Sequence, residues 1–471
     1  MPPIIIEVPE DCKQLAEAMR ATVALVEKIR ANAAGGKAVD YGVVEAVMGE
    51  AAAAVERGGH HAALSALDVD LPAIIVDGKR HARVGHYPAT YYTLAGPVVI
   101  ERPLYRAVGE RNRKTVDAIS LRTGAIGAGW LPRCATAMAH QVQSTTSREA
   151  EANLREAGRL PYSRTSFEEV AHLVGAHYVA RHLNVEEALV TAMVVPKEVR
   201  SLCVSLDRVS LPMEEPRNRP RGRPAKDAPL RPISRVFRMA YVGSVTLCDN
   251  NGKAVRTIRY GTMPKGDPMQ LCASMAGDVA ALLCQRANLD VVLLCDGAPE
   301  MWNLVEAALD ESQIGVVSTR LVDLWHVVEK LGRAVAIVGG GSGKVETWKL
   351  ALLNRRGAAD DILGELSASG KEWVRLGDEH PVHDAITYLQ NHAERMHYAD
   401  ARRRGLPVGS GNVEATCKSL VEVRMKRPGS RWKQTTGEQL VQIRALALSD
   451  RWDDALRLTL APLRHDVKVA A

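Results

Sequence analysis

The run Val291-Val292-Leu293-Leu294-Cys295 is apolar without interruption and stops at Asp296-Gly297. A strand with no polar alternation has to be covered on both faces, which places it inside an α/β sheet. Upstream, Leu202, Val204 and Leu206 alternate with Ser201, Cys203, Ser205 and Asp207, so this strand is expected to bury one face and present Asp207 on the other. Residues 241–248 and 253–260 are strand-like and are joined by Asp249-Asn250-Asn251-Gly252, whose Asn-Gly pair is a strong hairpin signal. Asp267 is the expected N-cap of a helix that has Pro268 at its first position and runs to about Ala287. After the apolar strand, a helix through Trp302 and Val305 leads to a fifth strand expected near Val316 and Val317.

The element order is therefore βββαβαβ, the order of a ribonuclease H-like core. The whole chain reads as α/β, with that core preceded by a mainly helical N-terminal region carrying a small β unit. At 471 residues it exceeds what one hydrophobic core usually supports. The expected divisions are a helical region 1–70, broken by Gly35-Gly36 and Gly58-Gly59, and a small β unit 71–130 with a hairpin turn at Asp77-Gly78. A helical segment 131–198 follows, in which Thr146-x-x-Glu149 and Ser166-x-x-Glu169 resemble capping boxes. This segment is either a DNA-binding helix pair or a packed helical linker. The first part of the core spans 199–331, a helical insertion 332–405, a core helix 406–455 and a tail 456–471. Aromatic residues make up only 4% of the chain, so the core is aliphatic. The eight cysteines form no CxxC pair and read as small buried hydrophobes. With no apolar run of about 18 residues and no basic-then-apolar N-terminus, the chain is expected to be soluble and cytoplasmic, associated with a bacterial nucleoid and not with a membrane.

Phosphoryl transfer on DNA requires an anionic cage for two divalent cations, one activating the attacking oxygen and one stabilising the leaving oxygen. Carboxylates suit magnesium or manganese, which take oxygen ligands. Asp207 and Asp296 lie on strands that adjacency in an α/β sheet would bring to one ion. Glu414 is the third candidate, because Gly409-Ser410-Gly411-Asn412 allows a close approach before a helix that starts near Asn412. Each has an ordinary alternative: Asp296 as a turn residue before glycine, Asp207 as an exposed strand residue, Glu414 as the i,i+4 partner of Lys418.

Three stretches carry a resemblance to a known family: Leu294-Cys-Asp296-Gly-Ala-Pro-Glu-Met-Trp302, Leu321-Val-Asp323-Leu-Trp-His326, and Leu406-Pro-Val-Gly-Ser-Gly-Asn-Val-Glu414-Ala-Thr-Cys-Lys418 with Arg424-Met-Lys-Arg-Pro-Gly-Ser-Arg-Trp432. They resemble the insertion-sequence DDE transposases of the ISKra type, relatives of the Mutator-like superfamily, over about residues 100–455. The resemblance implies a DNA transposase that binds terminal inverted repeats, cleaves a strand and joins the exposed 3′-hydroxyl to target DNA. Its implied metal ligands are Asp207, Asp296 and Glu414, holding two Mg²⁺ or Mn²⁺ ions, and its implied partners are double-stranded DNA and further copies of the chain, as a homodimer or larger oligomer. Asp323 and His326 match a further family motif, with Trp325 between them as a supporting residue. His326 is taken as an active-site residue, and Asp323 as either its hydrogen-bond partner or a helix cap. The paired cysteines that many members carry near residues 105–112 are not present.

Charge supports a nucleic-acid partner. The formal net charge is +6, and the segment 216–235 alone holds that excess through Arg217, Arg219, Arg221, Arg223, Lys226, Arg231 and Arg235 against Asp227. Pro220-Arg-Gly-Arg-Pro224 matches an AT-hook core, which lies in the minor groove of A·T-rich DNA, or forms a solvated loop. Lys418, Arg424, Lys426, Arg427, Arg431 and Lys433 follow Glu414 and are expected either to contact phosphates or to form a solvated face. Two other functions compete with the transposase: a domesticated DNA-binding protein without catalysis, and a ribonuclease H-like nuclease.

Overall fold

The computed structural model describes residues 5, 7–36, 38–110, 114–215, 234–312 and 317–470. The chain is mixed α/β with two sheets. It divides into two compact units, Met1–Ala180 with Leu456–Ala471, and Arg181–Ala455. The division at Ala180 falls inside the stretch 131–198 that reads as one helical segment.

In the first unit, α1 (Lys13–Ala34) packs against α2 (Tyr41–Ser65). The expected break at Gly35-Gly36 is present, but α2 runs straight through Gly58-Gly59. The cause is contact between backbones: a Cβ at position 58 would lie 2.6 Å from Leu15 Cα. The glycine's helix penalty of about 1 kcal/mol is offset by that close packing. Strands β1 (Ala73–Val76), β2 (Lys79–Thr93) and β3 (Gly96–Ala107) form an antiparallel meander. The C-terminal residues Val467–Val469 add a fourth strand beside β1, so the segment read as a tail closes this sheet. Helices α3 (Ala118–Thr123), α4 (Pro132–Ser144), α5 (Ser147–Glu156) and α6 (Arg164–Val179) complete the unit. The first expected capping box forms, with Glu149 N donating to Thr146 Oγ1 at 3.2 Å and Thr146 N donating to Glu149 Oε2 at 2.8 Å. The second does not, because Ser163 caps α6 by accepting from Ser166 N at 3.3 Å, which leaves Ser166 inside the helix.

The second unit opens with α7 (His182–Ala192) and continues through β4 (Ser201–Glu215), β5 (Ser234–Cys248), β6 (Ala254–Thr262), α8 (Pro268–Gln285), β7 (Asp290–Cys295), α9 (Pro299–Glu311) and β8 (Thr319–Val322). The strand order is β6-β5-β4-β7-β8. β4, β5 and β6 are mutually antiparallel, whereas β7 is parallel to β4 and β8 is parallel to β7. The fifth strand thus starts later than expected: Val316 lies outside the described residues, Val317 is half-buried, and the fully buried Leu321 and Val322 carry the pairing. β4 also differs from expectation, since Ser201 to Leu206 are all buried and both faces are covered.

Alternation along β7 divides the core. Val291, Leu293 and Cys295 join Leu202, Val204 and Leu206 beneath α8 and α9. Val292 and Leu294 join Cys203 on the opposite face, under α10 (Leu324–Val338), α11 (Gly341–Asn354), α12 (Ala358–Ala368), α13 (Pro381–Asn391) and α14 (Tyr398–Arg403). Further along β4, a third cluster packs Val209, Leu211 and Met213 against the last helical segments. These are α15 (Gly411–Thr416), a π-helical stretch Cys417–Glu422, α16 (Val423–Met425) and α17 (Gln434–Leu448). Cys134, Cys203, Cys248, Cys272, Cys295 and Cys417 are buried as read, but Cys284 is exposed and Cys12 half-buried. Among the described residues no helix is long and apolar enough to cross a membrane.

The α1–α2 contact yields a direct test. Gly58→Val should destabilise the protein by about 1–3 kcal/mol through overpacking, whereas Gly59→Ala, with nothing within 4 Å of its Cβ position, should be neutral or stabilising. Denaturant melts of the two variants read the difference.

Candidate functional site

The parallel pairing of β4 and β7 runs from Ser201↔Asp290 to Val204↔Leu293. Continued by three residues in the same register, it sets Asp207 beside Asp296 just past the end of β7. Both side chains belong to the face of Cys203 and Val292, which α10 covers, and Cys417 just after α15 reaches Asp207. Asp296 Oδ1 accepts from Ala298 N at 3.0 Å, and its carbonyl accepts from Trp302 Nε1 at 2.7 Å, so the turn into α9 is fixed from both sides. Gly297 is required by a close approach and not by an unusual φ. A Cβ there would lie 2.6 Å from Tyr388 Cε2 and 2.9 Å from His392 Nε2 on the insertion.

Asp323 ends β8 and caps α10. It is fully buried, and its Oδ1 accepts from Trp325 N at 2.6 Å. Its Oδ2 accepts from Ser410 N at 2.9 Å and from the Ser410 hydroxyl. One carboxylate therefore joins the start of α10 to the residue that caps α15. Of the two roles read for Asp323, partner of His326 or helix cap, the structure shows the cap. His326 turns instead toward Glu414, with Nε2 3.7 Å from Oε1. Among the described residues, Asp323, His326 and Glu414 are the group whose candidate ligand atoms all lie within 4.8 Å of one another. The expected trio Asp207, Asp296 and Glu414 is not drawn that tightly together. Asp323 is the weakest ligand of the close group, because three internal donors already occupy its oxygens.

Glu414 sits in the first turn of α15, half exposed, and forms no ion pair with Lys418. Cys417, three residues on and so on the same helical face, donates from Sγ to Asp207 Oδ2 at 3.4 Å. Burial pushes the Cys417 thiol far above its usual range, and the Asp207 charge adds to this, so it stays protonated. Burial likewise raises the Asp207 carboxyl, and neighbouring Asp296 raises it further, against the lowering influence of the Arg208 amide, Cys417 and His326. Among the described residues no Lys or Arg pairs with Asp207, Asp296 or Glu414. An oxygen-rich pair of carboxylates with no internal counter-cation fits a hard divalent cation.

The basic residues separate into different environments. Arg217, Arg219, Arg221 and Arg223 lie outside the described residues. Arg424 is not the surface cation it was expected to be: it is buried, with its guanidinium 5.2 Å from the centre of the Trp432 ring. Lys426 pairs with Glu422 at 2.7 Å and Arg431 lies 3.7 Å from Glu214. Lys418 is exposed beside Glu414, and Arg427 is half-buried. Trp325 is 53% exposed, with Lys349 Nζ 5.2 Å from its ring centre. The sequence reading missed Cys417, Ser410, Tyr388 and His392. Only Cys417 had a usable signal, its i+3 spacing from Glu414.

No protein-family model matches the chain, and no curated protein matches it. Among solved structures, a Mos1 transposase paired-end complex with the left transposon end is similar at 14% identity, covering 57% of this chain and 78% of that one with a TM-score of 0.16. A superposition that loose carries no argument about this chain.

Two predictions follow from the geometry of the site. Asp323→Ala leaves the Ser410 and Trp325 donors without an acceptor and should cost about 1–3 kcal/mol, read by denaturant unfolding. Asp207→Asn should raise the melting temperature of the metal-free protein at neutral pH. A carboxyl whose folded pKa is raised adds stability only below its unfolded value of about 3.9 and loses it as pH rises. The gain from asparagine should therefore vanish in melts taken below about pH 3.9.

Proposed function

We propose that this chain is a DDE transposase with a ribonuclease H-like core, in which Asp207, Asp296 and Glu414 hold two Mg²⁺ or Mn²⁺ ions. The observation that carries the reading is the placement of Asp207 on β4 beside Asp296 just past the end of the parallel strand β7, near the helix of Glu414, with no Lys or Arg among the described residues paired to any of the three. The strand order β6-β5-β4-β7-β8 with its parallel half at β4-β7-β8 supports the fold assignment. The bound ions would supply Lewis-acid activation of the attacking oxygen and charge stabilisation of the leaving oxygen.

The protein's own contribution is orientation. The Ala298 amide and Trp302 indole fix the Asp296 turn, Cys417 fixes Asp207, and the Asp323–Ser410 link fixes where α15 begins and hence where Glu414 stands. His326 lies beside Glu414 and within electrostatic reach of Asp207, a position from which it can hydrogen-bond a water or a phosphate oxygen. Exposed Lys418, with Arg427, Arg431 and the 217–223 arginines, is assigned to the DNA backbone. The substrates proposed are the element's terminal inverted repeats and a target duplex, brought together by a dimer or larger assembly.

Asp207→Asn, Asp296→Asn and Glu414→Gln should each reduce Mg²⁺-dependent cleavage of a duplex carrying the element end to background, while binding of the same duplex in the absence of metal is retained. Wild-type-like cleavage by any one variant removes that residue from the set. Cleavage without any joining of the 3′-hydroxyl to a second duplex would assign the chain to the nucleases instead.

A further inference from the structure

Helix α13 covers the Asp296 turn. Tyr388 on α13 and His392 at its C-terminus stand one helical turn apart, with ring centres 4.7 Å apart. Both approach Gly297: a Cβ there would meet Tyr388 Oη at 3.0 Å as well as His392 Nε2 at 2.9 Å. Arg395, just beyond, lies 4.1 Å over the ring of Trp302, whose indole holds the Asp296 carbonyl. The insertion and the Asp296 turn therefore form one packed layer.

Within this layer the Tyr388 hydroxyl and His392 Nδ1 are both shielded from solvent and make no hydrogen bond among the described residues. A buried donor left unsatisfied is costly, and one in a native protein calls for a partner such as a water, an ion or a group of the site. The hydroxyl stands against Gly297, the residue next to Asp296. Burial raises the Tyr388 pKa, and the charges of Asp296 and Asp323 add to the rise. Asp323 is occupied by the Trp325 amide and by Ser410. Asp296 uses Oδ1 for the Ala298 amide, and its Oδ2 has no protein donor among the described residues.

We infer that Tyr388 is a positioning residue for the cation site: its hydroxyl would donate to the Asp296 carboxylate and hold its orientation when a divalent ion is bound there. This inference rests on the reading of Asp296 as a metal ligand. It also gives the helical insertion a task at the reaction centre, with His392 and the Arg395–Trp302 contact holding the tyrosine ring over Gly297. Donors of this outer layer change metal affinity without touching the metal.

The test is Tyr388→Phe, which removes one hydroxyl and keeps the ring. Mn²⁺ is titrated into the full-length metal-free protein, with bound ion read by electron paramagnetic resonance and metal-free stability by thermal melting. Tyr388→Phe should weaken Mn²⁺ binding about 10- to 100-fold, while the metal-free melting temperature stays equal or rises, since the hydroxyl satisfies nothing in that state. Mn²⁺ affinity equal to wild type overturns the inference. So does a marked fall in metal-free stability, which would show the hydroxyl already employed in the fold. Asp296→Asn is the separate control: if it binds Mn²⁺ like wild type, the cation site itself fails and the role of Tyr388 falls with it. Loss of binding in Asp296→Asn with none in Tyr388→Phe overturns the tyrosine's role alone.

Discussion

Two parallel strands buried on both faces cannot slide past each other by one residue, because a slip would exchange every side chain between the two layers of the core. β4 and β7 are such strands. Their register, Ser201↔Asp290 through Val204↔Leu293, is fixed by apolar residues that pack under α8 and α9 on one side and under α10 to α14 on the other. The positions of Asp207 and Asp296 are consequences of that packing. Shifted by a single residue, one of them would face α9 and the pair would be separated by the sheet. The chemistry at the carboxyl ends of the strands thus depends on contacts that contain no polar atom.

The other half of the site hangs on one buried carboxylate. Asp323 is taken out of water entirely, which is tolerable because its oxygens accept from Trp325 N, Ser410 N and the Ser410 hydroxyl. These bonds span 87 residues of sequence between Asp323 and Ser410, and the whole helical insertion lies between their ends. The insertion can therefore vary in detail while β8, α10 and α15 keep a common origin. Tyr398, fully buried, adds a second tie by donating to the Val322 carbonyl at 2.8 Å, immediately before Asp323.

What could be read from the sequence follows the range of the interactions involved. The apolar run of β7, the Asn-Gly turn between β5 and β6, the Asp267 cap with Pro268 and the Thr146 capping box are local signals, and the structure contains each of them. Residues whose role is set by a distant partner were not legible. Gly58 reads as a helix breaker until Leu15 of α1 is seen against it, and Arg424 reads as a surface cation until Trp432 is seen beside it. Val467–Val469 is too short to register as a strand without β1 next to it. At the site the difference is the same: Asp207 and Asp296 are marked by strand pattern, whereas Tyr388 and His392 carry no periodicity that points toward Gly297.

The distribution of charge around Asp207 and Asp296 bears on what the pair can hold. A lysine or arginine placed between Asp207 and Asp296 would lower the cost of holding two carboxylates together, but it would also occupy the space and the charge that a divalent ion needs. Several nearby cations have other partners: Lys426 pairs with Glu422, Arg208 with Glu300 at 2.7 Å, Arg431 lies near Glu214, and Arg424 lies 5.2 Å from the centre of the Trp432 ring. Burial raises the Asp207 carboxyl, and the neighbouring Asp296 charge, unopposed by any Lys or Arg among the described residues, adds to the rise. A hard cation is the ligand that relieves this repulsion most directly, since it neutralises both carboxylates at once and needs no hydrogen-bond donor from the fold. On the proposed reading, the Tyr388 hydroxyl would find its acceptor once a cation is held, which would couple α13 to the occupancy of the site.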